Sequence, residues 1–456
     1  MEPISLKELL EATHGEILLS NDDDKYIKNI IIDSRKVKEN ELYIPIIGER
    51  FDGHSFLEDA YNNGCRDFLI DKNHSFEKSD ANIIKVEDTT KALLDISKYY
   101  KLKFKIKYVA VTGSTGKTTT KDMIQAVLNS KYDTLKNEGN LNNKIGVPLT
   151  LFNLNKNHEA CVIEMGMSYA NEIKRLAHVV EPQISVISNI GYSHIGNLGS
   201  KRNIYKAKME IIDRFNDENT LIVNGDDEYL SELKIQKTNY EILSFGFRED
   251  NHLYCKSYEN EDDGMRFKVI MNGEGMEFFI KTKGKHNIYN AMSAILVGMK
   301  MNLSVEEIQI GFDNYISSDM RLKIEKIKDF KIINDCYNAS PDSMIGALQV
   351  LKEFEGRKIA VLGDMLEMGE YSSFVHKEVG KHIDSKIDII ITVGNDSSLI
   401  GEFKKSDQSK HYHFSNNEDA KVFINDLTKK DDVILFKASR GLKLEEIINH
   451  LKKLEV

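Results

Sequence analysis

The amino-acid sequence predicts a three-domain α/β protein: a small α/β N-terminal domain, a central P-loop-type domain on a mostly parallel sheet, and a C-terminal Rossmann-like α/β domain. Three observations predict it. A chain of 456 residues has the length of two to four domains. From about residue 105 to 315, short apolar runs such as "KYVAVTG", "EACVIEMG", "ISVISNIG" and "TLIVNGDD" alternate with helical patterns. That alternation is the mark of a parallel sheet covered by helices. From about residue 320 the alternation restarts with "FKIINDCYN", "RKIAVLGD", "DIIITVG" and "DVILFKASRG", a second open α/β unit. The expected domains are 1–104, 105–317 and 318–456.

In chain order, residues 1 to about 85 offer the strands "YIKNIIID", "ELYIPI", "RDFLID" and "NIIKVED" around the helical stretch "SFLEDAYNNG". The helix "ALLDISKYYKLKF" then leads into the first strand of the central domain. Residues 252–283 interrupt the alternation, and "HLYCKSYE", "MRFKVIMN" and "MEFFIKT" predict a small antiparallel insert. "GKHNIYNAMSAILVGMKM" returns to helix. No internal repeat and no long linker is visible, and only five prolines occur.

Composition narrows the function classes. The chain is 41% apolar and 29% charged, with no run near the ~20 residues of a membrane span. Its start, "MEPISLKELLEATHGEI", carries early acids and no signal core, so a cytoplasmic protein without membrane insertion is expected. Cys65, Cys161, Cys255 and Cys336 are far apart, which speaks against a zinc site or disulfide framework and fits a reducing compartment. A net charge of −10 argues against a general nucleic-acid-binding face while leaving room for a local anion pocket.

The chemistry concentrates at strand ends. In "KYVAVTGSTGKTTTKDMIQA" the residues Gly113, Ser114, Thr115, Gly116, Lys117, Thr118 and Thr119 lie between a strand and a helix. Backbone N–H groups there would cradle phosphate at a helix N-terminus. Lys117 would neutralise phosphate charge, and Thr118 or Thr119 would offer Mg²⁺ a hydroxyl. The loop has two residues before its Gly-Lys pair where the usual P-loop has four. Glu164 ends the strand in "EACVIEMG", where parallel sheets place their ligands and a carboxylate suits Mg²⁺. His194 follows the next strand and Lys208 lies on the following helix; together they could complete a second metal position. Asn287 and Asn290 share a helix face and suit a purine edge, although capping is the plainer reading of helix asparagines. Asp335 could accept ribose hydroxyls, and Arg321 could reach phosphate or adenine.

These motifs, in this order, resemble the Mur ligases, ATP-dependent amide-forming enzymes of peptidoglycan precursor synthesis. The short Gly-x-x-Gly-Lys-Thr loop is one that family uses. The stretch "IIDSRKVKENELYIPIIGERFDGHSF" resembles the N-terminal substrate domain of the members that extend the muramyl peptide late, and "EGNLNNKIGVPLTL", "NDCYNASPDSM", "VLGDMLEMGEYSSFVH" and "LFKASRGLKLEEI" narrow the resemblance to the member that adds D-alanyl-D-alanine to UDP-N-acetylmuramoyl-tripeptide. Ala438 stands where glycine is usual in the last of them. The resemblance implies ATP, two Mg²⁺ ions, small-molecule substrates and a monomer. It implies that Thr118, Glu164, His194 and Lys208 serve the metals, with Lys117, Glu164, His194 and Lys208 catalytic, and that Lys208 is carbamylated. A carbamate supplies oxygen ligands where an ammonium would be repelled, and its formation needs a lysine of lowered pKa. It places ATP on residues 113–119 with Asn287, Asn290, Arg321 and Asp335. Asn140, Asn142 and Asn143 are implied to face the muramyl substrate, Ser34 and Arg35 its uridine diphosphate, and Asn338, Ser439 and Arg440 the dipeptide. A folate-type glutamate ligase, a nucleotide-binding scaffold and a P-loop kinase are the competing readings.

Overall fold

The structure, a computed structural model, describes residues 1–19, 25–48 and 51–453. Residues 20–24, 49–50 and 454–456, which fall within the expected spans 1–104 and 318–456, lie outside the described residues. Three α/β domains follow one another along the chain, each on its own main sheet.

The N-terminal domain opens with a helix, Leu6–Thr13, that periodicity did not flag; Ser5 and Glu8 close a capping box at its start. The strands Asn29–Ile31, Glu41–Tyr43, Asp67–Asp71 and Asn82–Val86 pair in parallel, and Glu16–Leu19 adds an antiparallel edge. The helix Thr89–Lys101, capped by Asp88, joins this domain to the next. Its buried Lys101 donates to the Val180 carbonyl and pairs with Glu181, and the Tyr100 hydroxyl donates to the Leu154 carbonyl at 2.7 Å.

In the central sheet the strands lie in the order Thr134–Lys136, Ala160–Glu164, Lys107–Thr112, Ile184–Ile187, Thr220–Asn224, Glu241–Gly246 and Leu253–Glu261, all parallel. Lys107–Thr112 comes first in the chain but sits inside the sheet. Its successors build outward on both sides, which makes its carboxyl end a topological switch point, the place where such sheets bind ligands. Tyr108 and Ala110 bury in one core and Val109 and Val111 in the other, as expected of a strand covered on both faces. The expected antiparallel insert forms, yet it is not separate. Leu253–Glu261, Gly264–Met271 and Glu274–Ile280 are antiparallel to one another and extend the edge of the central sheet.

The C-terminal sheet runs Lys323–Ile327, Phe330–Asn334, Val433–Lys437, Lys358–Gly363, Ile389–Val393 and Lys410–Phe414, parallel apart from its first strand. This domain is docked on the central one. The Tyr371 hydroxyl donates to the Gly199 carbonyl at 2.6 Å, and Tyr192 meets Phe374 edge-on. A Cβ built on Gly196 would lie 2.8 Å from the Glu367 carbonyl oxygen and 2.9 Å from the Gly369 nitrogen, so two backbones meet there with no room for a side chain.

Candidate active site

The loop after strand Lys107–Thr112 turns directly into the helix Lys117–Leu128. Gly116 caps that helix at φ 76° and supplies no side-chain bond, so the first N–H groups of the helix remain available for an anion. A Cβ on Gly116 would lie 2.8 Å from Asn290 Oδ1, and one on Gly113 would lie 1.8 Å from Ser188 Oγ. Both glycines are thus required by close approach. The segment after strand Ile184–Ile187 holds the loop in shape: the Thr115 N–H donates to Asn189 Oδ1 at 2.9 Å, and Ser188 Oγ donates to the Thr115 carbonyl at 2.6 Å. Lys117 Nζ donates to the carbonyls of Gly113 and Ser114. Burial pulls its pKa down, against the opposing charge of Glu164.

Glu164 sits at the end of its strand with one oxygen taking the Thr118 hydroxyl at 2.8 Å and the other the Asn142 amide at 2.8 Å. Arg321, from beyond the central domain, donates to the same Thr118 hydroxyl at 2.9 Å while its guanidinium lies over the Tyr337 ring. Behind Glu164 stands Asn137, fully buried. It accepts from the Glu164 N–H at 2.8 Å and donates to the Glu164 and Leu141 carbonyls at 3.1 and 2.9 Å.

Lys208 is buried on the helix Lys201–Met209 and has no hydrogen-bond or ion-pair partner among the described residues. Burial, and then the charge of Lys117, hold its pKa well below the usual lysine value. A neutral, unpaired amine is what carbamate formation requires. His194 adopts φ 63° at the start of a short helical turn, and its Nδ1 lies 3.1 Å from Glu367 Oε2 of the C-terminal domain. These donors fit a Mg²⁺ site in kind: a hydroxyl and a carboxylate in contact, an imidazole, and a lysine able to become a carboxylate.

At the other end, Asn290 donates to Asn287 Oδ1 at 3.0 Å and accepts from the Thr120 hydroxyl at 3.1 Å, as two residues one helical turn apart can. Asp335 is paired with the buried Lys437 at 2.6 Å. His286 lies near both. Its ring keeps some surface toward the cavity, but its depth pushes its pKa down to about 4.

These groups line one cavity of about 1110 Å³ between the central and C-terminal domains. It brings together Ser114 to Thr119, Asn140, Asn142, Asn143, Glu164, His194, Asn287, Asn290, Arg321, Asp335, Asn338, Ser439 and Arg440. Gly113 and Lys208 are not among its lining residues. Ser34 and Arg35 are away from it: Ser34 is buried in its own domain, and Arg35 is paired with Asp33 on the surface. Ser439 accepts the Leu366 N–H, and Arg440 pairs with Glu445. Asn137, Asn189, His286, Glu367 and Lys437 went unflagged in the sequence. All but Asn137 sit inside motifs singled out there, and Asn137 carries no local signal because two of its three hydrogen bonds go to Glu164, distant in the chain.

A second cluster, Asp52, His54 and His74, has metal-like spacing in the N-terminal domain. His54 Nε2 accepts the Asp71 N–H at 3.0 Å, which places its proton on Nδ1, facing Asp52 at 2.6 Å. The ring is spent on holding this loop.

Comparison with known proteins places these features in context. The family models "Mur ligase family, catalytic domain", "Mur ligase middle domain" and "Mur ligase, glutamate ligase domain" match residues 26–101, 111–298 and 320–440. The UDP-N-acetylmuramoyl-tripeptide–D-alanyl-D-alanine ligase of Bacillus subtilis is 38% identical over 455 residues, covering 98% of each chain. That of Haemophilus influenzae is 30% identical over 99% of this chain and 98% of the relative. Among solved structures, MurF from Acinetobacter baumannii superposes with a TM-score of 0.92 at 29% identity, over 99% of each chain. MurF ligase from Thermotoga maritima in complex with ADP superposes at 0.85 and 26% identity, over 94% of this chain and 97% of that one.

Proposed function

This chain belongs to the Mur ligase family, and from that premise we propose that it joins D-alanyl-D-alanine to UDP-N-acetylmuramoyl-tripeptide, converting ATP to ADP and phosphate. The observation that carries the reading is the single cavity in which the phosphate loop, Glu164 and His194 meet Arg321 and Asp335. The family resemblance extends through all three domains, which a folate-type ligase or a bare nucleotide scaffold does not require.

The tripeptide carboxylate attacks the γ-phosphorus, giving an acyl phosphate and ADP. The dipeptide amine then attacks the acyl carbon, and phosphate leaves. Lys117 releases its two carbonyl contacts to meet the phosphates, where its charge offsets the repulsion between carboxylate and triphosphate. Arg321 and Asp335 hold the nucleotide from the C-terminal side, and Asn287 and Asn290 face the base. Asn140, Asn142 and Asn143 orient the muramyl peptide, Ser34 and Arg35 take its uridine end, and Asn338, Ser439 and Arg440 take the dipeptide. Two Mg²⁺ ions, when bound, would polarise the γ-phosphoryl group and screen charge. Thr118 and Glu164 would hold one, and His194 with carbamylated Lys208 the other. The docked C-terminal domain excludes water from the acyl phosphate.

The same reading divides the chain near residues 104 and 317 and has it act as a cytoplasmic monomer. Among the described residues no helix is long and apolar enough to cross a membrane. The test is phosphate release from Mg·ATP with the tripeptide substrate, with and without D-alanyl-D-alanine, with the product followed by mass. Release that needs both substrates supports the assignment. ATP binding without release, for both diaminopimelate- and lysine-containing tripeptides, would overturn it. Lys208→Ala should lose ligation and partly recover with added short-chain carboxylic acids; an undiminished rate removes Lys208 from the chemistry.

A further inference from the structure

We propose that Glu367 is a positioning residue through which docking of the C-terminal domain sets the His194 ring for the reaction. The proposal rests on the reading of His194 as a metal ligand. Glu367 Oε2 lies 3.1 Å from His194 Nδ1. The approach is off the hydrogen-bonding direction, and Nδ1 is otherwise buried without a partner. Among the described residues Glu367 is therefore the acceptor this nitrogen has, and a small ring rotation aligns the pair. A histidine held by a carboxylate through one nitrogen presents the other, with its lone pair, to a metal; this is the common second contact of metal-binding histidines. Here Nε2 is the nitrogen left for the cavity.

The surroundings show that the contact is built. His194 and Glu367 both take left-handed backbone conformations, at φ 63° and 70°, which cost energy in residues with a side chain. Gly196 and Gly369, each two residues further on, provide the close backbone contact that brings the turns together. Stability does not explain the pair. The Glu367 side chain is 54% exposed, and ion pairs that open to water contribute little. The two halves also come from different domains, so the ring is held only while they are docked.

A double-mutant cycle of wild type, Glu367→Ala, His194→Ala and the double variant tests this. Mn²⁺ binding is read by electron paramagnetic resonance with a non-hydrolysable ATP analogue, and kcat and KM for ATP are measured alongside. Glu367→Ala is expected to weaken one class of bound Mn²⁺ by roughly tenfold or more and to lower kcat, with KM for ATP little changed. Glu367→Gln should recover most of both, since its amide oxygen accepts the same N–H. The double variant should be no worse than His194→Ala. Wild-type Mn²⁺ affinity in Glu367→Ala, multiplying penalties in the double variant, or a glutamine as poor as alanine would each overturn the proposal. A wild type that binds Mn²⁺ and passes the binding cycle but ligates nothing would sink the assigned reaction and leave this coupling standing.

Discussion

Replacing Asn137 by alanine should damage both the stability of the central domain and the Glu164 edge of its candidate site. The side chain is fully buried and makes three hydrogen bonds to main chain, at 2.8, 3.1 and 2.9 Å. Alanine leaves the Glu164 N–H, the Glu164 carbonyl and the Leu141 carbonyl without those partners. Each buried polar group so orphaned costs about 1–3 kcal/mol. With partial relief by an entering water, the total is roughly 3–6 kcal/mol. For a unit of about 200 residues, 1 kcal/mol moves the melting midpoint by about 2–4 °C, so a fall of roughly 6–24 °C is expected. Calorimetry that resolves the central transition measures it, and a Mg²⁺ titration of ATP turnover reports the site. Asn137→Asp should be nearly as harmful, because it keeps the acceptor but loses the amide that serves both carbonyls. A midpoint within about 1 °C of wild type, with an unchanged Mg²⁺ titration, would refute the idea that this residue ties Glu164 to the Asn140–Asn143 segment.

Further outcomes can be checked in the same way. Gly116→Ala should weaken ATP binding by one to two orders of magnitude, from about 1–2 kcal/mol of backbone strain and the displacement of Asn290; calorimetric titration with an ATP analogue measures it, and wild-type affinity sinks the close-approach argument. Lys437→Met should cost roughly 3–5 kcal/mol in thermal or denaturant unfolding, because it leaves Asp335 unpaired; unfolding unchanged from wild type contradicts this. His286 is held below the ordinary histidine value of 6.5, at about 4, so the unfolded chain binds more protons across that window and stability is lost as pH falls through it. His286→Gln should flatten the fall in melting midpoint between pH 6.5 and 4, and superimposable profiles would contradict the assignment.

The strand–helix alternation and the phosphate loop were legible because both are local: they depend on residues within a turn or two of one another. Glu164, His194 and Asp335 were legible because strand ends of parallel sheets gather at one edge. Asn137 was not, since what it holds is fixed only when two parts of the sheet edge meet. Glu367 and Lys437 became meaningful through partners in another domain or across the sheet. Lys437 also illustrates how a motif can be read a few residues off: Ser439 and Arg440 attract the functional reading, while the lysine two positions before Ser439 pairs with the candidate ribose acceptor. Ser34 and Arg35 stand apart from the cavity, on a domain that contributes none of its walls. The antiparallel hairpins were visible as strands, but alternation alone carries no information on which sheet edge they would join.

The meeting of Gly196 with Gly369 has a consequence for how sequences of this kind can drift. A methyl group at position 196 collides with main chain, which cannot swing aside as a side chain can. Position 369 faces the same wall from the other side and also needs a left-handed backbone. Two sites far apart in the chain are therefore under one constraint. Relatives that keep the contact should keep glycine at both positions, and those that lose one glycine should change the other, or the turns that carry His194 and Glu367, along with it.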